Sequence, residues 1–341
     1  MEEIRWKYGN DVRYAYAVGV IRVLETRSLS RERIERAAEA PSTEEVLRIL
    51  GETTYSEYLS TLEGPQDYES FLSEEHRKLL NLVQTLTKDP ALTDLFFYRF
   101  DFHNLKVAVK ERFGEQALTT TYVPFGRVSA PMVKATVTEE EFSSLPPWLA
   151  HVAEQVVREF PERQDPKWID FIIDRRMYEI FIIRSQQTGC LFLYDLVRKE
   201  IDLINILSLF RIRHSGQERT QFLESFIVGG VLLRSFFLEL FDEPVEALSG
   251  RFAYTPYRDL VEHGWDHLSG KASFVVFERM ARDFVLEYLR RANLIAFGIE
   301  PLIAYIHAKE NELRMIRTIM VGKLNNVPSN LIKESLPRVY V

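Results

Sequence analysis

From Arg99 the chain reads Arg-Phe-Asp101-Phe-His103-Asn104-Leu105-Lys106, runs on through Lys110 and Arg112, and stops at Gly114. About a hundred residues later it reads Glu200-Ile-Asp202-Leu-Ile-Asn205-Ile206, then Arg211 and Arg213, then Gly216. A third stretch follows at a similar interval: Glu310-Asn-Glu312-Leu-Arg-Met315-Ile316-Arg317, continuing to Lys323. Each holds an acid, an apolar residue four positions on, and basic residues up to eleven positions on. The first two share Asp-x-x-Asn. A second echo joins Pro124-Phe-Gly126-Arg to Val228-Gly-Gly230-Val, with a looser segment around Arg27 about a hundred residues before. Repetition at this interval exceeds a solenoid unit, so each copy is long enough to form its own small bundle. The expected partition is 1–118, 119–219, and 220–341 with a C-terminal tail.

The surrounding periodicity is helical. Phe274, Phe277, Ala281, Phe284 and Tyr288 fall on one helix face, as do Leu79, Leu82, Val83 and Leu86. Helical patterns cover 11–27, 68–87, 91–113, 165–186, 190–213, 219–240, 273–295 and 299–321. Gly64-Pro65, Asp89-Pro90, Pro146-Pro147, Gly189, Gly216 and Gly298 punctuate them. Ser30 and Ser42 read as N-caps. Only Thr119 to Val123 reads as β-prone, so the fold is expected to be all-α.

Composition narrows the function. The 341 residues are 46% hydrophobic and 27% charged, an ordinary globular balance. A net charge of −7 argues against a nucleic-acid partner. The single cysteine, Cys190, excludes an intrachain disulfide and a Cys-based zinc site, and favours a reducing compartment. The N-terminus has no apolar signal core. The most apolar run, Phe222 to Phe241, carries Glu224, Arg234 and Glu239 and makes a poor bilayer span.

Candidate chemistry is sparse. His103 beside Asp101 suggests a general base, but Ile204 and Arg314 take its place in the other copies. The plainer reading of Asp101 is a structural acid paired with a basic residue of a neighbouring helix. His263 and His267 are spaced to share a metal, with no third ligand nearby. Gly264 to Ala272 misses the phosphate-cradling loop by one residue and lacks its hydroxyl. Cys190 sits in an apolar run and reads as packing. No cofactor, nucleotide or catalytic site is expected. Charge is uneven: Glu57 to Glu75 holds six acids and no base, whereas Pro301 to Val341 holds six bases and three acids. Ile316 to Val341 is too apolar for a free tail.

The repeats and the ending together resemble the C subunit of the bacterial and archaeal V-type (A-type) rotary ATPases, a family related to the eukaryotic d subunit. The resemblance rests on Asp101-x-x-Asn104-Leu-Lys106, on Asp202-x-x-Asn205-Ile, and on Lys309-Glu310-x-Glu312-x-x-x-Ile316-Arg317-x-Ile319 with Lys323, Ile332-x-Glu334-x-Leu336 and Tyr340-Val341. Tyr14-x-Tyr16 and Arg22-x-Leu24 match at the start. Val18-Gly19-Val20-Ile21 stands where the family usually has Asn-Ala-Arg-x, Met315 where it has Asn, and Asn325-Asn326 where a glycine is common.

What the resemblance implies is a non-catalytic rotor part: three similar helical modules in a pseudo-threefold funnel with a central cavity. Such a part is peripheral, on the cytoplasmic side of the membrane. It receives the shaft made by the D and F subunits and passes torque to the proteolipid ring that moves protons or sodium ions. Asp101, Asp202 and Glu312 would then occupy equivalent places. The competing readings are a soluble helical-repeat scaffold and, less well supported, a helical hydrolase.

Overall fold

Helices make up three-quarters of the described residues, and no β-strand occurs among them. The computed structural model describes residues 6–59, 62–114, 121–244, 247–269 and 273–340. In chain order the helices are α1 (Ala15–Glu25), α2 (Arg31–Glu39), α3 (Thr43–Gly51), α4 (Ser56–Leu59), α5 (Tyr68–Leu86), α6 (Pro90–Arg112), α7 (Ala130–Glu139), α8 (Pro147–Arg163) and α9 (Pro166–Thr188). They continue with α10 (Leu191–His214), α11 (Arg219–Ser225), α12 (Arg234–Asp242), α13 (Leu248–Arg251), α14 (Arg258–Ser269), α15 (Phe274–Leu289), α16 (Glu300–Leu324) and α17 (Ser329–Ser335). They form two compact units. One holds Trp6 and Asp89–Asp242, and so α6 to α12. The other holds Lys7–Lys88 and the chain from Glu243 on, and so α1 to α5 and α13 to α17.

In the first unit α9 packs against both α6 and α10, and α7 and α8 lie on α6. Helix α6 buries Phe96, Phe97, Phe102, Leu105 and Val109 on several sides at once. A helix that is apolar nearly all round belongs inside its unit, and its few polar residues there need partners. In the second unit α16 has that place: α1, α2, α3, α5, α15 and α17 all pack on it. Ile316, Ile319 and Met320 of α16 share a core with Ile34, Val46, Ile49 and Leu50 of α2 and α3.

The expected helix over 219–240 is broken in two. Residues 226–233 run as a loop between α11 and α12. The apolar periodicity flanks Gly229-Gly230 on both sides, but Gly229 sits at φ 111°, outside the helical region, and side chains of α10 hold the loop's backbone. The pattern 273–295 also ends early, with α15 giving way to a 3-10 turn over Arg290–Leu294. Helix α8 answers to none of the expected spans; Pro147 at its first turn and a buried face of Leu149, Val152, Val156 and Phe160 form it. Of the β-prone stretch, 121–123 is irregular chain and the rest lies outside the described residues. The backbone groups Val123 would offer a strand are taken by the Asn104 side chain.

The C-terminal segment is docked. Ile332 of α17 is buried and lies so close to Gly322 that a Cβ there would come within 2.6 Å of it. Beyond α17, Arg290 donates to the carbonyls of Val339 and Tyr340 at 2.8 and 3.2 Å, and the Tyr340 hydroxyl donates to Asn293 at 2.6 Å. Arg22 of α1 reaches the same turn, donating to the carbonyls of Ala292, Asn293 and Ile295. Deleting residues after Lys323 removes Ile332, Leu336 and Tyr340, all buried. At about 1.5–3 kcal/mol for each large apolar side chain buried, the truncated chain should melt well below the full chain in a calorimetric scan. An unchanged melting curve would show that the tail does not contribute to the fold.

Candidate functional site: loops held by acids of the long helices

Asp101 lies mid-way along α6 with no exposed surface. Its carboxylate accepts the backbone N–H groups of Arg127 at 3.1 Å and Val128 at 2.8 Å. One turn on, Asn104 uses both ends of its amide. It donates to the Val123 carbonyl at 2.9 Å and accepts the Val123 N–H at 2.9 Å. Asp and Asn at this spacing share one helix face, so together they hold the loop 123–128 at two points. The sequence pattern pairs Asp101 with a basic side chain. Its hydrogen-bond partners are instead two backbone amides, and the Arg127 guanidinium goes to Asp94.

The arrangement recurs on α10. Asp202, also fully buried, accepts the N–H groups of Val231 at 3.0 Å and Leu232 at 3.1 Å. Asn205 donates to the Ile227 carbonyl at 2.8 Å and accepts the Ile227 N–H at 2.9 Å. Glycine is required in both loops. A Cβ on Gly126 would lie 2.1 Å from an Asp101 oxygen, and one on Gly230 2.0 Å from an Asp202 oxygen. Only a residue without a side chain lets the carboxylate come this near the backbone.

On α16 the acid is Glu312, and it accepts the N–H of Leu29 at 2.6 Å. That donor comes from the N-terminal part of the chain. In all three cases the amide sits two residues ahead of a short helix: Val128 before α7, Leu232 before α12, and Leu29 before α2. Two differences have physical reasons. Glutamate reaches one methylene further than aspartate, and this loop carries Arg27 where the others have glycine. Met315 replaces Asn because the corresponding residue, Leu24, belongs to α1, whose own hydrogen bonds satisfy its backbone.

Glu312 also accepts the Tyr55 hydroxyl and the Lys309 ammonium, the latter at 2.9 Å. Lys309 donates to Tyr55 at 2.8 Å and approaches Glu75 at 3.2 Å. Burial works against the lysine charge, but Glu312 and Glu75 more than offset it and its pKa rises. Burial and the Glu312 charge push the Tyr55 phenol well up, so it stays a donor.

The remaining motif residues tie helices together. Lys106 pairs with Asp174 at 2.6 Å and Lys110 with Asp170 at 2.8 Å, both across to α9. Arg317, five residues after its acid as Lys106 is after Asp101, makes two bonds to Glu69 of α5 at 2.7 and 2.8 Å. Glu310 lies 3.9 Å from His76. Lys323 donates to Ser329 at 2.8 Å, linking α16 to the start of α17.

The reactive alternatives are occupied elsewhere. His103 bonds the Thr121 carbonyl at 3.0 Å, and His263 the Asp259 carbonyl at 2.9 Å. The His267 side chain lies outside the described residues. Among the described residues no group of three His, Cys, Asp or Glu side chains is placed to hold a metal ion. Gly264 lies inside α14, where a Cβ would come 2.1 Å from the Phe277 ring. It is a helix-packing glycine; 270–272 of that near-miss loop lie outside the described residues. Cys190 is buried at the start of α10. Among the described residues no helix is long and apolar enough to cross a membrane.

The sequence names the acids and, separately, the loop echo, but does not join them. The matching intervals are the available signal. Tyr55 leaves none.

Removing an acid leaves buried N–H groups without partners, at about 1–3 kcal/mol each. Asp101→Ala and Asp202→Ala should each lower stability by about 2–4 kcal/mol in denaturant unfolding, and Gly126→Ala and Gly230→Ala should also destabilise. Burial pushes Asp101 up to about 6 against its two backbone donors. The native chain therefore keeps a proton that the unfolded chain releases. Asp101's contribution is full below the ordinary aspartate value and declines as pH rises to about 6. The stability gap between wild type and Asp101→Asn should narrow over that window and be flat above it.

Residues 17–335 match the family model described as ATP synthase (C/AC39) subunit. The V-type sodium ATPase C subunit of Enterococcus hirae is 26% identical over 325 residues, covering 94% of this chain and 97% of that protein. The A-type ATP synthase C subunit of Methanococcoides burtonii is 21% identical, covering 96% and 95%. That of Pyrococcus horikoshii is 23% identical, covering 93% and 87%. With repeat-spaced acids on three long helices and a family match over most of its length, the chain belongs to the ATP synthase (C/AC39) subunit family, a non-catalytic part of a rotary ATPase.

Proposed function

We propose that this chain is the central-stalk rotor part that joins the D and F shaft to the proteolipid ring and passes torque between them, driving H⁺ or Na⁺ transport coupled to ATP hydrolysis or synthesis. It would do so as a peripheral protein on the cytoplasmic side of the membrane. The observation that carries the reading is the order of the acid–loop pairs. Asp101 of segment 1–118 holds a loop of 119–219, Asp202 of that segment holds a loop of 220–341, and Glu312 of the last holds a loop of the first. Three segments that each hold the next, with the third holding the first, follow a closed cyclic order. Such an order supports three equivalent modules around an opening that takes a rod-like partner.

Torque needs a part that does not yield. A loop anchored by a buried carboxylate and by both faces of an amide cannot slide along its helix without exposing unpaired donors. Family membership supports assembly in the ATPase, and the E. hirae relative is itself named as part of a sodium ATPase.

A pull-down from native membranes with this chain tagged should recover the shaft and the ring. Recovery without any other ATPase component would overturn the reading and favour a helical scaffold. The isolated chain should show no saturable ATP binding in calorimetry, and specific binding would count against a purely mechanical part.

A further inference from the structure

The three held loops do not have the same surface. Counting back from the helix each precedes, the first loop places Arg127 and Ser129 beside the held Val128, and the third places Ser28 and Ser30 beside Leu29. The second places Val231 and Leu233 beside Leu232. Leu233 is 72% exposed, Val228 60% and Val231 38%. The fold does not ask for these residues. Ser30 caps α2 by accepting the Arg33 N–H, whereas leucine has no oxygen with which to cap α12. At this position an exposed leucine forgoes a cap that the third copy makes.

The apolar loop has a particular setting. The Arg198 guanidinium donates to the Gly230 carbonyl at 3.3 Å and lies 5.5 Å from the centre of the Tyr194 ring. Tyr194 in turn packs against Trp6 with the rings tilted and their centres 4.9 Å apart, and Trp6 is 40% exposed. Arg234 follows the loop directly and is exposed. Neither arginine has an ion pair among the described residues. All of these residues lie in one unit. On a chain of net charge −7 this is an exposed surface of Trp, Val and Leu beside the exposed Arg234 and the half-buried Arg198.

We propose that this surface contacts an anionic lipid headgroup layer, as an auxiliary membrane contact of a protein working beside the bilayer, and in that it rests on the function proposed above. Tryptophan, with an apolar body and one N–H donor, suits the water–hydrocarbon boundary. Valine and leucine at the tip of a loop held rigidly from behind can enter the boundary without any change of fold. The exposed positive charge of Arg234 at the end of the loop matches anionic headgroups. Three exposed aliphatic side chains are too small an area for a stable protein interface, which wants about 800 Å² on each side. They suffice for a weak, reversible lipid contact.

The test uses the full chain and vesicles of phosphatidylglycerol and phosphatidylcholine in equal parts, with pure phosphatidylcholine as the comparison. Binding should be detectable only on the anionic vesicles and should weaken with salt. Leu233→Ser should weaken it about tenfold and Arg234→Gln about fivefold, while the melting temperature of Leu233→Ser holds or rises because a cap becomes available. Trp6→Ala should weaken binding as well. Absence of binding to anionic vesicles, or equal binding by all three variants, overturns the proposal. Variants that bind vesicles normally but fail to co-purify with the ATPase from detergent extracts also overturn it, in favour of a protein partner. Vesicle binding is read on the isolated chain and the pull-down on the complex, so either reading can fail without the other.

Discussion

A carboxylate with no exposed surface has to find donors, and in this chain it finds backbone amides. Everything around Asp101 and Asp202 follows from that requirement. The loop must come close enough to donate, so it carries a glycine where a Cβ would strike the carboxylate. It must be presented edge-on, so an asparagine one turn away grips both polar atoms of a second peptide. Burial of the Asp101 carboxylate outweighs its two backbone donors and the nearby Arg127 charge, and its pKa rises. Stability is surrendered here for a fixed connection between a loop and the middle of a long helix.

The Glu312 site meets the same requirement differently. Its loop has one amide to offer, and Tyr55 and Lys309 supply the rest. The network is richer because less backbone is free: α1 already satisfies the peptide that an asparagine would otherwise hold. Variation at Met315 is therefore compensated locally.

Ion pairs add a second layer. Lys106 and Arg317, each five residues after its acid, both cross to a neighbouring helix, one to α9 and the other to α5. They are partly exposed and individually weak, but they select which face of the neighbour is met. Acids hold loops, bases hold helices, and the long helices stand as common supports. A part that conveys force benefits from this division, because each connection resists sliding in a different direction.

The sequence by itself determined the helical class, the hundred-residue interval and the identity of the acids, because helix periodicity and side-chain type are local properties written in order along the chain. It also displayed the loop echo around Arg27, Gly126 and Gly230. Tertiary structure alone decided that echo and acids belong together, since a hydrogen bond from Leu29 to Glu312 joins the two ends of the chain and leaves no local mark. It decided as well that 219–240 breaks into two helices. The apolar pattern there resumes on both sides of Gly229-Gly230, and capture of the backbone by Asp202 and Asn205, with Gly229 outside the helical region, makes a loop preferable to another turn of helix. The same capture leaves Val228, Val231 and Leu233 facing outward, a placement that hydrophobicity counted along the chain would have assigned to the core.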